Sequence, residues 1–202
     1  MRITGGKARS RKLITPRATG KDYIRPTSDR VREALFSILG ELVPDARVLD
    51  LFAGTGSFGL DALSRGAELV VFVDDFPRAL KLVQQNLHNC FDNFNAQVLR
   101  LNLEKNTSYT ALKNHFSGQT LFNIVFLDPP YEKKMAETTL TMIQKTGLVA
   151  PDGLVIAEER WKVNLPDQIG SLQLHLHRRY GETGIWIYKH KGQQNVPVGV
   201  TE

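Results

Sequence analysis

The sequence predicts an α/β fold with a doubly wound, mostly parallel β-sheet, and three observations support this prediction. Apolar strand-like runs alternate with amphipathic helix-like segments along most of the chain, as in parallel sheets with helical crossovers. A glycine-rich turn follows the first apolar run, as in many ligand-binding α/β sheets. The last two apolar runs have no helix between them, so they predict one antiparallel hairpin at the carboxyl end of the sheet.

The individual elements follow from local patterns. The Thr-Ser-Asp sequence at 27–29 offers helix caps before an apolar helical face at 31–39. Pro77 favours the start of a helix, because the N–H that proline lacks would be unpaired in a first turn. The predicted strands are residues 47–52, 69–73, 97–101, 123–127, 154–158, 172–177 and 184–189, and the predicted helices are 31–39, 57–65, 77–87, 109–116 and 133–145.

Composition favours one soluble globular domain. The chain has 202 residues, of which 42% are hydrophobic, and this is enough to bury a full core. No apolar run is long enough for a membrane helix and no signal-like segment opens the chain, so we expect a cytoplasmic protein without a membrane partner. The single cysteine excludes an intrachain disulfide, and no Cys/His cluster has zinc-ligand spacing, so no metal is expected.

The first candidate site is the glycine-rich turn within residues 48–59. Gly54 and Gly56 allow backbone torsions and a close ligand approach that a Cβ would obstruct. The same string also reads as the G-x-G-x-x-G of a dinucleotide site, and Asp74 stands where such sites place a ribose-binding acid. The turn alone therefore fits a nicotinamide cofactor as well as S-adenosylmethionine. Asp50 favours S-adenosylmethionine, because a carboxylate there attracts a cationic amino group and repels a pyrophosphate.

The second candidate site is the tetrapeptide Asp128-Pro129-Pro130-Tyr131, directly after the predicted strand at 123–127. The exocyclic amino group of a base is a poor nucleophile, because its lone pair is delocalised into the ring. Hydrogen bonds accepted by the Asp128 carboxylate and the Pro129 carbonyl would localise the lone pair and stabilise the developing positive charge. Tyr131 offers a face on which the base can stack. The segment predicts methylation of a base nitrogen, and strand ends in such a sheet are expected to converge on one ligand crevice.

Positive charge is concentrated at the amino terminus. The net charge is +5, and residues 1–32 carry ten basic side chains against two acidic ones, so the remainder is mildly acidic. This distribution is typical of a protein that binds a phosphate backbone. Residues 2–4 and 12–14 flank a Gly-Gly pair and predict a β-hairpin. The positive charge of Arg32 suits a contact with either the cofactor or RNA phosphates. The predicted nucleic-acid contacts are Arg2, Lys7, Arg9, Arg11, Lys12, Arg25 and Arg30.

Five segments resemble the bacterial RsmD-type methyltransferases: Arg2–Gly6, Arg11–Leu13, Arg25–Phe36, Asp50–Gly56 and Asp128–Tyr131. The resemblance covers roughly residues 1–190, and the Arg25–Phe36 block is more specific than the glycines. It implies a class I S-adenosylmethionine-dependent fold that methylates N2 of a guanine, position 966, in 16S ribosomal RNA. It also implies that the substrate is an assembled or partly assembled 30S subunit.

The resemblance implies residue roles as well. Asp50, Gly54 and Gly56 match the loop on the methionine side of the cofactor, and Asp74 matches the acid that holds the ribose hydroxyls. Asn102 stands where many relatives have an Asp that accepts from the adenine amino group. The resulting cofactor set is Thr27, Asp50, Phe52, Ala53, Gly54, Thr55, Gly56, Asp74, Asn102 and Leu103, and the catalytic set is Asp128, Pro129, Pro130 and Tyr131.

The predicted organisation is a basic N-terminal hairpin extension at 1–24, a Rossmann-like methyltransferase domain at 25–190 and a flexible tail at 191–202, in a monomer. Three alternatives stay open. A DNA adenine-N6 methyltransferase uses a similar clamp, although 202 residues leave no obvious target-recognition domain. A nicotinamide-dependent oxidoreductase leaves Asp50 and the Pro-Pro-Tyr sequence unexplained. A non-catalytic RNA-binding assembly factor is disfavoured by the intact clamp.

Overall fold

The computed structural model describes residues 1–16, 28–116, 121–130 and 134–191. Arg25, Thr27, Tyr131 and the predicted tail from residue 192 onward lie outside the described residues. The described helices are α1 (Asp29–Leu39), α2 (Ser57–Ser64), α3 (Pro77–Cys90), α4 (Asn106–His115) and α5 (Met135–Thr146). The described strands are β1 (Arg47–Leu51), β2 (Leu69–Asp74), β3 (Ala96–Arg100), β4 (Phe122–Leu127), β5 (Val149–Arg160), β6 (Gln168–Ile169), β7 (Leu172–Tyr180) and β8 (Thr183–His190).

The chain forms two compact units, and the first is described at residues 1–16 and 28–100. Its strands are parallel in the order β3-β2-β1, with Leu51 paired to Val73 and Asp74 paired to Arg100. Helix α2 contacts β1 and β2, and α3 contacts β2 and β3. The apolar side chains of β1 and β2 are buried, as expected for parallel strands covered by helices.

Local sequence signals explain where the helices of this unit begin. The Ser28 side chain accepts a hydrogen bond from the Val31 N–H at 3.2 Å and caps α1. Pro77 is the first residue of α3. Both predictions are confirmed.

The second unit is described at residues 101–116, 121–130 and 134–191. Strand β4 pairs with β5 in parallel, and β5-β8-β7-β6 continue as antiparallel neighbours. The predicted α/β class, with parallel strands and an antiparallel C-terminal hairpin, is confirmed. Strand β5 is longer than the predicted 154–158 at both ends: Val149 pairs with Phe122 of β4, and Glu159 and Arg160 pair with β8. Strand β6 was not predicted, since two residues are too short for a periodic signal.

The predicted amino-terminal hairpin is not confirmed as a pair of regular strands and stays a prediction. Arg2 and Lys12 form one isolated antiparallel bridge, and Ile3 N–H donates to the Arg11 oxygen at 3.0 Å. The described residues of this segment therefore contain paired backbone without a regular strand. The predicted boundary between residues 24 and 25 lies outside the described residues and stays a prediction. Within the described residues, no helix is long and apolar enough to cross a membrane.

Candidate active site

The glycine-rich turn leaves the carboxyl end of β1 and leads into α2. Three of its residues have positive φ: Phe52 at 59°, Gly54 at 56° and Gly56 at 77°. Glycine adopts this conformation without the steric cost that a side chain brings, whereas Phe52 holds it under strain. A Cβ at Gly56 would also lie 3.1 Å from Cγ2 of Val83. The turn therefore has a fixed shape with little side-chain bulk.

A third glycine sets the distance between α2 and β2. A Cβ on Gly59 would overlap the Phe72 ring and would lie 2.7 Å from Cγ1 of Val70. Glycine at this position lets the helix pack closely against the strand, which is the role of the third glycine in cofactor-binding turns.

Asp50 is buried directly below the turn. Its side chain is 2% exposed, and Oδ2 accepts a hydrogen bond from the Gly59 N–H at 3.0 Å. The pKa of Asp50 is raised from 3.8 to about 8: burial is the main cause, the Gly59 hydrogen bond opposes it, and the negative charge of Asp74 adds to the rise. The group is therefore mostly protonated at neutral pH unless a cation binds beside it. Its predicted contact with a cationic amino group stays a prediction.

Asp74 lies at the carboxyl end of β2 and is half-buried. Its Oδ2 accepts from the Gly54 N–H and its Oδ1 accepts from the Phe76 N–H, each at 2.9 Å. A carboxylate has about four acceptor positions, so about two stay open to hydroxyl donors. The neighbouring Asp75 is exposed, and Asp74 is the residue that contacts the turn.

The predicted adenine contact lies in the second unit. Asn102 Oδ1 accepts from the Glu104 N–H at 2.9 Å, which makes a local turn after β3. A second lone pair on Oδ1 remains for another donor. Leu103 is 4% exposed, and its oxygen accepts from the Tyr109 hydroxyl at 3.0 Å. Residues 102 and 103 are therefore held in place by local hydrogen bonds.

The predicted clamp follows β4 in the same unit. Asp128 is half-buried, Pro129 is buried and Pro130 is exposed. The preceding residue, Leu127, pairs with Ala157 of β5. Asp128 and Pro129 thus occupy the carboxyl end of a buried strand, as predicted, while Tyr131 lies outside the described residues.

The predicted RNA contacts are exposed wherever the structure describes them. Arg11 is exposed, and its Nη1 also donates to the Asn89 oxygen at 3.1 Å. Arg32 differs, because it is 0% exposed and its Nε lies 2.8 Å from Oδ2 of Asp61. Arg32 is therefore a structural residue of the core. The exposed predicted contacts are Arg2, Lys7, Arg9, Arg11, Lys12 and Arg30.

Three polar residues that the sequence did not single out hold the amino-terminal segment in place. Asp61 Oδ1 accepts from the Thr4 N–H at 2.7 Å, and Ser64 Oγ accepts from the Ala8 N–H at 2.8 Å. Asn86 Oδ1 accepts from the Ile14 N–H at 2.7 Å. Each is a polar residue within a helix, and no local pattern separates such a residue from one facing solvent. Their role follows only from the packing of the amino-terminal segment against α2 and α3.

Within the described residues, no group of three or more His, Cys, Asp or Glu side chains is arranged to hold a metal ion.

Comparisons with known proteins cover both units. The family described as Conserved hypothetical protein 95 matches residues 1–189. The Bacillus subtilis (strain 168) protein YlbH is 37% identical over 192 residues, which are 95% of this chain and 100% of that protein. Ribosomal RNA small subunit methyltransferase D of Escherichia coli (strain K12) is 35% identical over 195 residues, 96% of this chain and 91% of the relative. The solved structure of a Thermus thermophilus hypothetical protein, TTHA0928, is 32% identical with a TM-score of 0.75, and the match covers 94% of this chain and 99% of that one.

Proposed function

The chain belongs to the Conserved hypothetical protein 95 family, and on that premise we propose that it methylates N2 of a guanine in small-subunit ribosomal RNA, using S-adenosylmethionine. The observation that carries the proposal is the Asp128-Pro129 sequence at the carboxyl end of β4 in a chain of this family. The Escherichia coli relative, named for methylation of small-subunit ribosomal RNA, supports the choice of RNA.

The residues of the first unit fit S-adenosylmethionine. Asp74 keeps about two open acceptor positions for ribose hydroxyls, and the turn through Gly54 and Gly56 leaves backbone close to any ligand above it. Asp50 ionises when a cationic amino group approaches, because an opposite charge lowers its raised pKa. S-adenosylmethionine supplies an activated methyl group on a positively charged sulfur.

The protein's proposed role towards the substrate is to hold and activate the guanine amino group that accepts the methyl group. In the proposed mechanism the Asp128 carboxylate and the Pro129 carbonyl each accept one N–H of the guanine amino group. Both hydrogen bonds strengthen as positive charge grows on nitrogen, so they stabilise the transition state more than the ground state. Pro130 restricts the backbone of Pro129 to extended conformations, and the Pro129 carbonyl is proposed to point at the acceptor amino group. Tyr131 is proposed to stack on the base.

We assign RNA binding to the exposed cations of the amino-terminal segment. The segment is anchored by Asp61, Ser64 and Asn86, so its cations are presented from a fixed backbone. A fixed cation loses less entropy on binding than one on a loose tail. The proposed substrate is RNA within an assembled or partly assembled 30S subunit in the bacterial cytoplasm, and the proposed active species is a monomer that needs no metal.

One experiment tests this proposal. The protein is incubated with labelled S-adenosylmethionine and, in parallel, naked ribosomal RNA, 30S particles or DNA, and the modified base is identified after nuclease digestion. We expect N2-methylguanosine in small-subunit RNA. Labelled N6-methyladenine in DNA contradicts the proposal in favour of a DNA enzyme. Cofactor binding without transfer to any nucleic acid contradicts it in favour of an assembly factor.

A further inference from the structure

Two cations lie over a tryptophan ring at the turn end of the β7–β8 hairpin, within the second unit, and two more precede them by one or two residues in sequence. This group is termed the hairpin-edge cluster, and its members are Arg160, Trp161, Lys162, Arg178 and Arg179. The first three residues end β5 and follow it, whereas the two arginines lie near the end of β7. None of these residues belongs to the site described above.

Strand register places this cluster on the same edge of the sheet as the clamp. Leu127, which precedes Asp128, pairs with Ala157 of β5, and Ala157 pairs with Trp186 of β8. Trp186 in turn pairs with His177 of β7. Neighbouring strands lie about 4.8 Å apart, so β7 is about 14 Å from β4. A strand of RNA with one base at Asp128 therefore reaches the cluster within a few nucleotides.

The cluster has a defined geometry around Trp161. The guanidinium carbon of Arg179 lies 3.6 Å from the centre of the Trp161 ring, and Lys162 Nζ lies 5.8 Å from it. The backbone N–H of Trp161 donates to the backbone oxygen of Glu182 at 3.1 Å, which holds the residue against the hairpin turn. Gly184 leaves the required space, because a Cβ there would lie 3.1 Å from the Trp161 Cα. The indole and the guanidinium are thus stacked and held by backbone contacts.

The charge of the cluster is positive and faces solvent. Lys162, Arg178 and Arg179 are exposed, and among the described residues no carboxylate lies within ion-pair distance of these three. The indole Nε1 of Trp161 is buried and finds no hydrogen-bond partner in the described part of the chain. Exposed cations next to a stacked ring match a ligand with phosphates and planar bases. An acidic protein surface would pair with these cations, but it would have no planar base to stack on the Trp161 ring.

We propose that the hairpin-edge cluster binds the RNA strand that flanks the target base. Lys162, Arg178 and Arg179 contact its phosphates, and the stacked Trp161 and Arg179 side chains carry one of its bases. This inference rests on the proposed function, since the strand in question is the one held at Asp128. It adds a second RNA surface, in addition to the amino-terminal segment.

The test compares two triple variants with equal loss of charge. One is Lys162→Gln, Arg178→Gln and Arg179→Gln. The matched control is Lys113→Gln, Lys145→Gln and Lys191→Gln, three exposed lysines elsewhere in the same unit. Equilibrium binding of a small-subunit RNA fragment is measured across a salt series without cofactor. We expect the first variant to bind at least about 10-fold more weakly, with a log–log salt slope smaller by about 2, because each single-strand phosphate contact contributes about 0.7.

Two further readouts separate RNA contact from a structural effect. The loss in methyl transfer by the first variant should appear in the KM for RNA, while its affinity for S-adenosylmethionine matches that of the parent. The chain has two tryptophans, so Trp186→Phe leaves Trp161 as the single fluorescent indole. RNA should quench its emission, and an unchanged spectrum contradicts the ring contact.

The outcomes also separate this inference from the proposed function. If the first triple variant binds RNA as the control does, the inference is overturned, whether or not the parent methylates RNA. If the parent methylates no RNA but the first variant still loses RNA binding, the proposed function fails and the RNA surface stands.

Discussion

The Nδ2 of Asn86 donates to the backbone oxygen of Thr55 at 3.1 Å, which joins helix α3 to the glycine-rich turn. The same amide donates to the Ile14 oxygen at 3.1 Å and accepts from the Ile14 N–H at 2.7 Å. Asn86 is 0% exposed. One buried side chain thus holds both the predicted cofactor turn and the basic amino-terminal segment of the first unit.

Replacement of Asn86 by Ala should destabilise the protein by about 1–3 kcal/mol, because it leaves buried backbone groups without partners. Urea unfolding measures the loss, and amide hydrogen exchange at Ile14 should become faster. Asn89→Ala is the control, since Asn89 is exposed and donates to Lys12. Equal stability of the two variants would show that the Asn86 network contributes little.

Asp61→Ala should cost about 3–5 kcal/mol, because it leaves the guanidinium of Arg32 buried without its main counter-charge. Both side chains of this pair are 0% exposed. The control is Glu68→Ala, which removes a pair with Arg47 whose side chains are 38% and 50% exposed, and it should cost about 0–1 kcal/mol. Urea unfolding of both variants tests the contrast, and a loss below about 1 kcal/mol for Asp61→Ala contradicts it.

Asp50→Asn should change how stability depends on pH. The pKa of Asp50 is raised from 3.8 to about 8, so the folded state keeps a proton that the unfolded chain releases. Parent stability from this group is therefore greatest below about pH 4 and falls as pH rises towards 8. The Asn side chain does not titrate and still accepts from the Gly59 N–H, so the variant should gain on the order of 1 kcal/mol per pH unit relative to the parent between pH 5 and 7. Parallel pH profiles in urea unfolding contradict the raised pKa.

Asp128→Ala should lower kcat for methyl transfer by about 10²–10³-fold, by analogy with the removal of one transition-state hydrogen-bond partner. The affinity for S-adenosylmethionine should stay within severalfold of the parent value, because the proposed contacts of Asp128 are to the acceptor amino group. Asp152→Ala, an exposed acid on β5, is the control. Turnover equal to that of the control eliminates Asp128 from the clamp.

The triple variant Arg9→Gln, Arg11→Gln and Lys12→Gln should bind RNA more weakly and with a salt slope smaller by about 2, since three phosphate contacts are lost. The lysine triple Lys113→Gln, Lys145→Gln and Lys191→Gln removes the same charge and serves again as the control. An unchanged slope would show that Arg9, Arg11 and Lys12 do not contact RNA phosphates.

The elements were predictable because their signals are local. Ser28 caps α1 and Pro77 begins α3 for reasons that involve only a few neighbouring residues. Strand β5 was predicted too short, because its additional pairing depends on Phe122 of β4 at one end and on β8 at the other, and both lie far along the chain. Helix α4 begins at Asn106 rather than at the predicted Tyr109, and the side chain before its first turn makes no capping hydrogen bond, so a local capping signal was missing there. Ends that depend on distant partners have no local signal.

The sequence by itself determined the α/β class, the glycine-rich turn, the Asp-Pro-Pro-Tyr segment and the family resemblance, because each is a contiguous pattern. The tertiary structure alone decided that Arg32 is a buried ion-pair residue and that the pKa of Asp50 is raised, since both depend on burial. It alone also placed Lys162 and Arg179, which are distant in sequence, over the same Trp161 ring. Burial and cross-strand proximity depend on how distant segments pack, so the order of residues does not display them.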